Sequence, residues 1–555
     1  ATQIGFDAVS EAFRVSDFGR SRSVQSALAA SGARAAANTP ALAKLVREEQ
    51  DTQKQIDGIF AILRNALTAP GDQQDAKSIA SLRTAIKALR ANNKKLTAEI
   101  ATKFPSYTEL IAPKPPTPES VRKSLAPGEA LISYYLTEKN AYVWAVPKTG
   151  PIAFANAALG KEDIGEMVDD LREALDPGVG ELGKIPDFNV ALSHKLYKSL
   201  LAPVRRGWKN AKSLLVVSHK SLSKIPLSVF VTKPSRLPKE SGALFAKYKN
   251  IPWLAKTHTV TALPSVASLV SLRARPAAAK TRRAFVGFGD PYFSVQQATA
   301  AKQTASVQVA ASMRGALMRG GRVNLRSAPK SRGVGNSELA KLPRLPDTGE
   351  EVVSVAKALR ADQKRDVFLG TRATEEAVKQ ANLSDYKVLH FATHGLIPLD
   401  LNGLTQPALA LSSPNLTAGT REDGLLTMGE ILTLKLDADW VVLSACNTAA
   451  GEEGGEAFSG LGRAFFYAGT RAILLSNWPV ETTSARALTT DLFKRQADQK
   501  NLSRSQALQA AMVSLINGEG YIDPKTNKVV FSYAHPIFWA PFSLVGDGGG
   551  GRPGA

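Results

Sequence analysis

The chain has 555 residues, a formal net charge of +21 and one cysteine. That length exceeds one compact core, so two to four domains are expected. A single cysteine excludes an intramolecular disulfide framework and a Cys-rich zinc site, and no apolar run approaches the eighteen residues of a membrane-spanning helix. No metal and no cofactor is called for. The sequence starts with Ala and has no leader pattern, which reads as a fragment or processed form of something longer. The compartment is left open, with the cytoplasm favoured.

Residues 1–112 read as helical. Ile79, Leu82, Ile86, Leu89, Asn93, Leu96 and Ile100 recur with spacings of three and four, a heptad seam with one polar interruption. A preceding helix over Ala41–Leu67 sets Leu42, Leu45, Ile56, Ile59, Phe60, Leu63 and Leu67 on one face. The Pro-Gly break after Ala69 predicts an antiparallel helical hairpin. Pro-rich residues 112–118 are a stiff linker. Residues 119–295 read as an α/β half with a mostly parallel sheet. It has a hairpin about Glu138-Lys139-Asn140 and buried strands at Ser213–Ser218 and Ala284–Gly289.

Residues 298–344 are Ala/Gly/Ser/Arg-rich and lack either period, so a flexible basic loop is expected. Residues 271–345 carry 14 Lys/Arg against two acidic residues, Asp290 and Glu338. Such charge attracts acidic partners. The tract offers no aromatic ring to stack a base, so a nucleic-acid partner is disfavoured. Residues 345–546 read as a second α/β half. Strands are expected at Asp366–Leu369, Lys387–Thr393, Ala408–Leu411, Trp440–Ser444, Arg471–Ser476 and Ile537–Leu544. Helices alternate with them, which argues for a doubly wound sheet whose ligands sit at the carboxyl ends of strands. The Gly-rich tail, residues 547–555, is expected to be disordered.

Two strand ends carry the chemistry. Phe391-Ala-Thr-His-Gly395 ends one strand and Leu443-Ser-Ala-Cys-Asn-Thr448 another, offering the His394 imidazole and the Cys446 thiol. Separately, each residue has a bland reading: a core histidine, a buried inert thiol. Together they are the equipment of thiolate nucleophilic catalysis, and their separation of 52 residues is near that of caspases.

The segments His390-Phe-Ala-Thr-His-Gly395, Asp423-Gly-Leu-Leu-Thr427, Leu443-Ser-Ala-Cys-Asn-Thr-Ala449, Ala472-Ile-Leu-Leu-Ser-Asn-Trp-Pro-Val480 and His535-Pro-Ile-Phe-Trp-Ala-Pro-Phe542 closely resemble the CHAT peptidase domain, of the caspase, separase and gingipain group. The resemblance extends back to about Pro118. It implies a caspase-like α/β fold with a degenerate first half and a catalytic second half, and upstream TPR repeats or a regulatory protein as partners. It puts the dyad on His394 and Cys446, with the oxyanion donors at the N–H groups of Gly395 and Cys446. His390 sits deeper in its strand and reads as structural. The implied activity is a cysteine endopeptidase acting on protein substrates; a silent CHAT scaffold is the alternative. Separases, which cut after Arg, resemble the chain around Leu475–Val480 but carry an Asp where Pro479 stands, so cleavage preference stays open. Trp478, Pro479 and Glu481 are the groove candidates, and Glu452, Glu453 and Glu456 are further acidic residues nearby. Met313-Arg314, Met318-Arg319 and Gly321-Arg322 in the basic tract are candidate self-cleavage points.

Overall fold

A computed structural model of the chain describes residues 7–18, 40–68, 75–103, 116–178, 181–275, 278–279, 281–308, 339–396, 400–401, 404, 406–416, 422–444, 460–499, 501–523 and 526–549. Helices Pro40–Thr68 and Ala76–Lys103 form the expected antiparallel hairpin. Leu42, Val46, Ile56 and Leu63 of the first are buried, as are Ile79, Ile86 and Ile100 of the second. The polar interruption of the seam is satisfied across the pair: Asn93 Nδ2 donates to Glu49 Oε1 at 3.0 Å. Phe60 and Leu67, assigned from periodicity to the buried face, are exposed. Arg90 stacks over the Phe60 ring at 4.9 Å. Among the described residues no helix is long and apolar enough to cross a membrane.

The strands in chain order are β1 (Glu129–Leu136), β2 (Ala141–Pro147), β3 (Ala153–Ala157), β4 (Ser213–Val217), β5 (Thr259–Ala262), β6 (Arg283–Gly289), β7 (Val367–Leu369), β8 (Tyr386–Ala392), β9 (Gly395–Leu396), β10 (Ala408–Ala410), β11 (Leu425–Thr427), β12 (Trp440–Leu443), β13 (Ala472–Ser476), β14 (Tyr521–Ile522), β15 (Val529–Phe531) and β16 (Phe542–Gly546). Eleven of them make one sheet, ordered β3-β2-β1-β4-β5-β16-β13-β12-β8-β6-β7. Its pairings are mostly parallel. The exceptions are β1–β2, β2–β3 and β13–β16. β9, β10 and β11 make a small second sheet, and β14 and β15 a hairpin.

The two halves of the chain therefore share a single sheet, and β16 joins them. β16 runs parallel to β5 and antiparallel to β13. Consequently β1, β4 and β5 point their carboxyl ends to the opposite edge from β6, β7, β8, β12 and β13. The strand Arg283–Gly289, read with the first half, lies between β7 and β8 in the second. The expected strand Ile537–Leu544 is divided: Pro536–Trp539 is a helical turn capped by His535, and pairing starts at Phe542, past Pro541. A Pro at the first helical position favours that turn, and Pro541 lacks the N–H a ladder needs. The basic tract is not structureless at its start, since Val295–Gln308 is helical. Residues 309–338, including the candidate self-cleavage points, lie outside the described residues. The start of the Gly-rich tail is pinned: Asp547 N donates to Arg471 O at 3.0 Å.

Strand alternation divides the core into layers. Val388, Ala392 and Val442 face one layer with Val352, Val355 and Leu488; Leu389, Phe391, Val441 and Leu443 face the other with Phe465 and Phe466. Helices Pro346–Ala358 and Thr482–Asp498 cover the first face. Two glycines let Pro346–Ala358 sit close. A Cβ at Gly287 would meet Val352 Cγ1 at 2.6 Å, and one at Gly289 would meet Thr348 O at 2.9 Å.

His219, the strand-end histidine of the first half, is taken up by packing. It stacks on Tyr135 at 4.6 Å, and its Nδ1 accepts from Leu136 N at 2.9 Å. It stands just past β4, at the edge away from His394. His219→Ala is expected to leave any hydrolysis by the second half within about twofold, measured beside a thermal melt; distant sites couple weakly.

Candidate functional site

β8 and β12 are adjacent parallel strands in which Leu443 pairs with Phe391. His394 is three residues beyond Phe391, and Cys446 three residues beyond Leu443. The described ends of the two strands thus stop in step at the same edge of the sheet. Ser444 is the last described residue on the way to Cys446, and its N–H donates to Phe391 O at 3.0 Å. Cys446 itself, with Glu452, Glu453 and Glu456, lies outside the described residues.

His394 is fully buried against Phe293, with ring centroids 5.6 Å apart. Its Nε2 donates to the carbonyl oxygen of Pro343 at 2.8 Å. That bond fixes one ring proton at Nε2. In a neutral ring it leaves Nδ1 as the basic atom. Pro343 is held in turn by its neighbour. The Arg344 guanidinium grips Asp290 with two bonds, Nε to Oδ1 at 2.8 Å and Nη2 to Oδ2 at 2.6 Å, and lies 4.7 Å from the Tyr292 ring. Asp290, immediately past β6, has φ of 46°, a sparsely populated backbone state for a non-glycine residue. Its N–H donates to Thr348 Oγ1 at 2.8 Å.

Gly395 begins β9. Ala410 N donates to His394 O at 3.0 Å and Leu409 stands opposite Gly395. Gly395 therefore belongs to a non-hydrogen-bonded pair, whose N–H is turned away from β10.

The groove candidates fare differently. Trp478 is fully buried, with Nε1 donating to Ile537 O at 3.2 Å, so it is core rather than groove lining. The physical reason is the neighbouring layer: Val480, Ile537 and Phe538 join Trp478 in the main apolar cluster. Glu481 is the N-cap of helix Thr482–Asp498, accepting from Thr483 N at 2.9 Å and Ser484 N at 2.7 Å. Burial pushes its carboxyl up, against the pull of those donors. A capping carboxylate spent in this way is not offered to a substrate. Glu481→Ala is expected to lower stability by about 0.5–2 kcal/mol, read by denaturant unfolding, without altering ligand affinity. Pro479 between them is half-buried.

Three carboxylates close enough to share a cation, those of Glu375, Glu422 and Glu430, already surround the Lys379 ammonium. It lies 2.7 Å from Glu375 and 2.7 Å from Glu430. Burial pushes Glu375 up to about 8, while Lys379 and the Thr427 donors overcome burial to hold Glu430 down at about 2. The cluster thus already holds a cation of the chain's own, the Lys379 ammonium.

The Pro343 carbonyl, Asp290 and Arg344 were missed in the sequence. A backbone carbonyl leaves no residue signature, and Arg344 is one of many basic residues in its stretch. Glu351 was missed too. Its carboxylate lies 3.2 Å from His390 Nε2, and both side chains are fully buried. His390, expected to be structural, thus packs beside a buried carboxylate at ion-pair distance, without hydrogen-bond geometry.

Residues 190–547 match the family described as the CHAT domain, well over half of the chain, and the chain belongs to that family. The match begins inside the span whose resemblance starts at about Pro118. Over 230 residues the chain is 26% identical to tetratricopeptide repeat protein 28 of Mus musculus, covering 37% of this chain and 9% of that protein. The Homo sapiens protein of the same name is 26% identical over 229 residues, covering 37% of this chain and 8% of that protein. The chain thus spans under a tenth of the length of these curated relatives. Among solved structures, the Arg-specific cysteine proteinase gingipain R is similar, with a TM-score of 0.32, 8% identity and coverage of 70% of this chain and 75% of that one. Separase in the Saccharomyces cerevisiae separase–securin complex is similar with a TM-score of 0.38, 11% identity and coverage of 89% of this chain and 37% of that one.

Proposed function

We propose that this CHAT chain is a cysteine endopeptidase working through His394 and Cys446. The observation that supports the reading is the register of β8 against β12, in which Phe391 and Leu443, each three residues before a member of the pair, stand opposite one another. In this reading His394 Nδ1 takes the proton from the Cys446 thiol. The thiolate attacks a peptide carbonyl, and the N–H groups of Gly395 and Cys446 receive the oxyanion. The imidazolium then gives its proton to the leaving amine as the C–N bond breaks. Water, deprotonated by the same ring, hydrolyses the thioester and regenerates the thiol. The Pro343 carbonyl supports this by holding the imidazole in one tautomer, a task often given to a third group.

His394 is buried in this conformation. A peptide reaches it only after the residues around it move, which gives an upstream module or partner protein something to control. Tetratricopeptide repeats are one class of such module, in keeping with the curated relatives. Arg344→Ala frees the Pro343 carbonyl and is expected to lower kcat about 10-fold with KM little changed, because orientation of the base is lost rather than substrate binding.

The test is a diverse peptide library incubated with the wild-type chain and with Cys446→Ala, and cut sites read by mass spectrometry. Cleavage by the wild type alone supports the reading. Cleavage by neither, with and without an upstream segment, leaves a scaffold as the account. Self-cleavage within residues 309–338 is read in the same digests, from fragments present with wild type and missing with Cys446→Ala.

A further inference from the structure

We infer that Glu351 is a positioning residue for the His394–Cys446 pair, acting through His390 on one strand and Ser444 on the other. The inference rests on the peptidase reading and deepens it. Glu351 is on helix Pro346–Ala358 and is fully buried. Its Oε2 accepts from Ser444 Oγ at 3.1 Å. Its Oε1 lies 3.2 Å from His390 Nε2 and accepts from Thr489 Oγ1 at 3.3 Å. His390, Ser444 and Thr489 are all fully buried as well. His390 is four residues before His394, and Ser444 two before Cys446. One carboxylate therefore stands between the two strands that lead to the reactive pair, hydrogen-bonded to Ser444 just past the end of β12 and at ion-pair distance, without hydrogen-bond geometry, from His390 on β8.

Stability alone does not account for this cluster. It sits in an apolar layer with Phe285, Val352, Val388 and Val442, and Phe285 meets the His390 ring edge-on at 89°. Burying a carboxylate beside an imidazole carries a desolvation cost that a close pair returns only in part, and apolar replacements of similar volume are often neutral or stabilising. What polar groups add is direction. A hydrogen bond to Ser444 Oγ fixes a rotamer and the local backbone, whereas an apolar contact tolerates sliding. The fold also invests in bringing Glu351 there: Gly287, which pairs with His390 across β6 and β8, and Gly289 admit the helix that carries it. A displacement of about 1 Å at a reacting pair costs on the order of 100-fold in rate, so the ends of these strands are where positional rigidity matters.

The test uses the full chain, two variants and two readouts. Glu351→Gln keeps the shape and removes the charge. The double variant Glu351→Met with His390→Leu removes the carboxylate and the ring together, so neither is left facing an apolar replacement of the other; Thr489 Oγ1 keeps its bond to Ala485 O. Stability is followed by thermal melting. The first readout is the split of kcat against KM on a peptide cut by the wild type. The second needs no substrate: Cys446 is the only cysteine, so its alkylation by iodoacetamide as a function of pH reports its environment alone. The expected result is a kcat about 10- to 100-fold lower in both variants with KM within about twofold. Their alkylation profiles should move toward that of His394→Ala, while the double variant melts near the wild type. Wild-type kcat and profile in both variants overturn the inference. So does activity that merely tracks the folded fraction and returns with the stability of the double variant. If the wild type cleaves nothing, the peptidase reading fails by itself, and the alkylation profiles still decide whether Glu351 positions the thiol against His394.

Discussion

Cys446→Ala is expected to abolish peptide cleavage, lowering kcat/KM by roughly 10⁴-fold or more, and His394→Ala to fall nearly as far. Residues that act as one unit lose most of the rate when either is removed, and the double variant should be scarcely worse than Cys446→Ala. His394→Ala removes a buried ring that packs on Phe293, so its melt must be recorded beside its rate. Retention of more than about a tenth of wild-type kcat/KM by a folded Cys446→Ala protein would assign the hydrolysis to another site or a contaminant.

Trp478→Ala is expected to lose about 3–5 kcal/mol of stability, seen as a lower midpoint in denaturant unfolding. The indole is fully buried, donates to Ile537 O at 3.2 Å, and has the Arg172 guanidinium 5.8 Å from its ring. Arg172 itself reaches Lys224 O at 2.9 Å and Asn477 O at 3.1 Å, so Trp478 lies where the first half of the chain meets the end of β13. Removing it opens a cavity at that junction and strands an acceptor. A groove residue would behave in the opposite way: unfolding would scarcely change, and KM for a peptide would rise. Trp478→Phe, which keeps most of the volume, should recover much of the loss.

Strands β8 and β12 were legible because their signals are local. Buried apolar runs ending in Thr393-His394-Gly395 and Ser444-Ala445-Cys446 state both the element and the edge at which it stops. The helical hairpin was legible for the same reason, its seam being periodic. The order of strands was not. Nothing near Arg283–Gly289 tells that it pairs with β8 rather than β4, since strand pairing is a long-range choice among similar apolar segments. Nor does any local feature mark Glu351 as the inward member of the pair Glu350-Glu351; Glu350 instead meets Arg486 at the surface. The roles of Trp478 and Glu481 were misread because a tryptophan and a carboxylate just past a strand end look alike whether they face a substrate or close a core. Only the packing of Ile537 and Phe538 over that turn decides it.

The central claim is that His394 and Cys446 act on one another, and the pH dependence of Cys446 alkylation tests it without any substrate. Measured in the wild type and in His394→Ala, the rate should rise at lower pH in the wild type, where a neighbouring imidazolium holds the thiol in the range of about 3.5–7.5. In His394→Ala it should follow a thiol near its ordinary value of about 8.5. Superimposable profiles in two folded proteins would mean that the ring and the thiol do not meet, and would contradict the dyad.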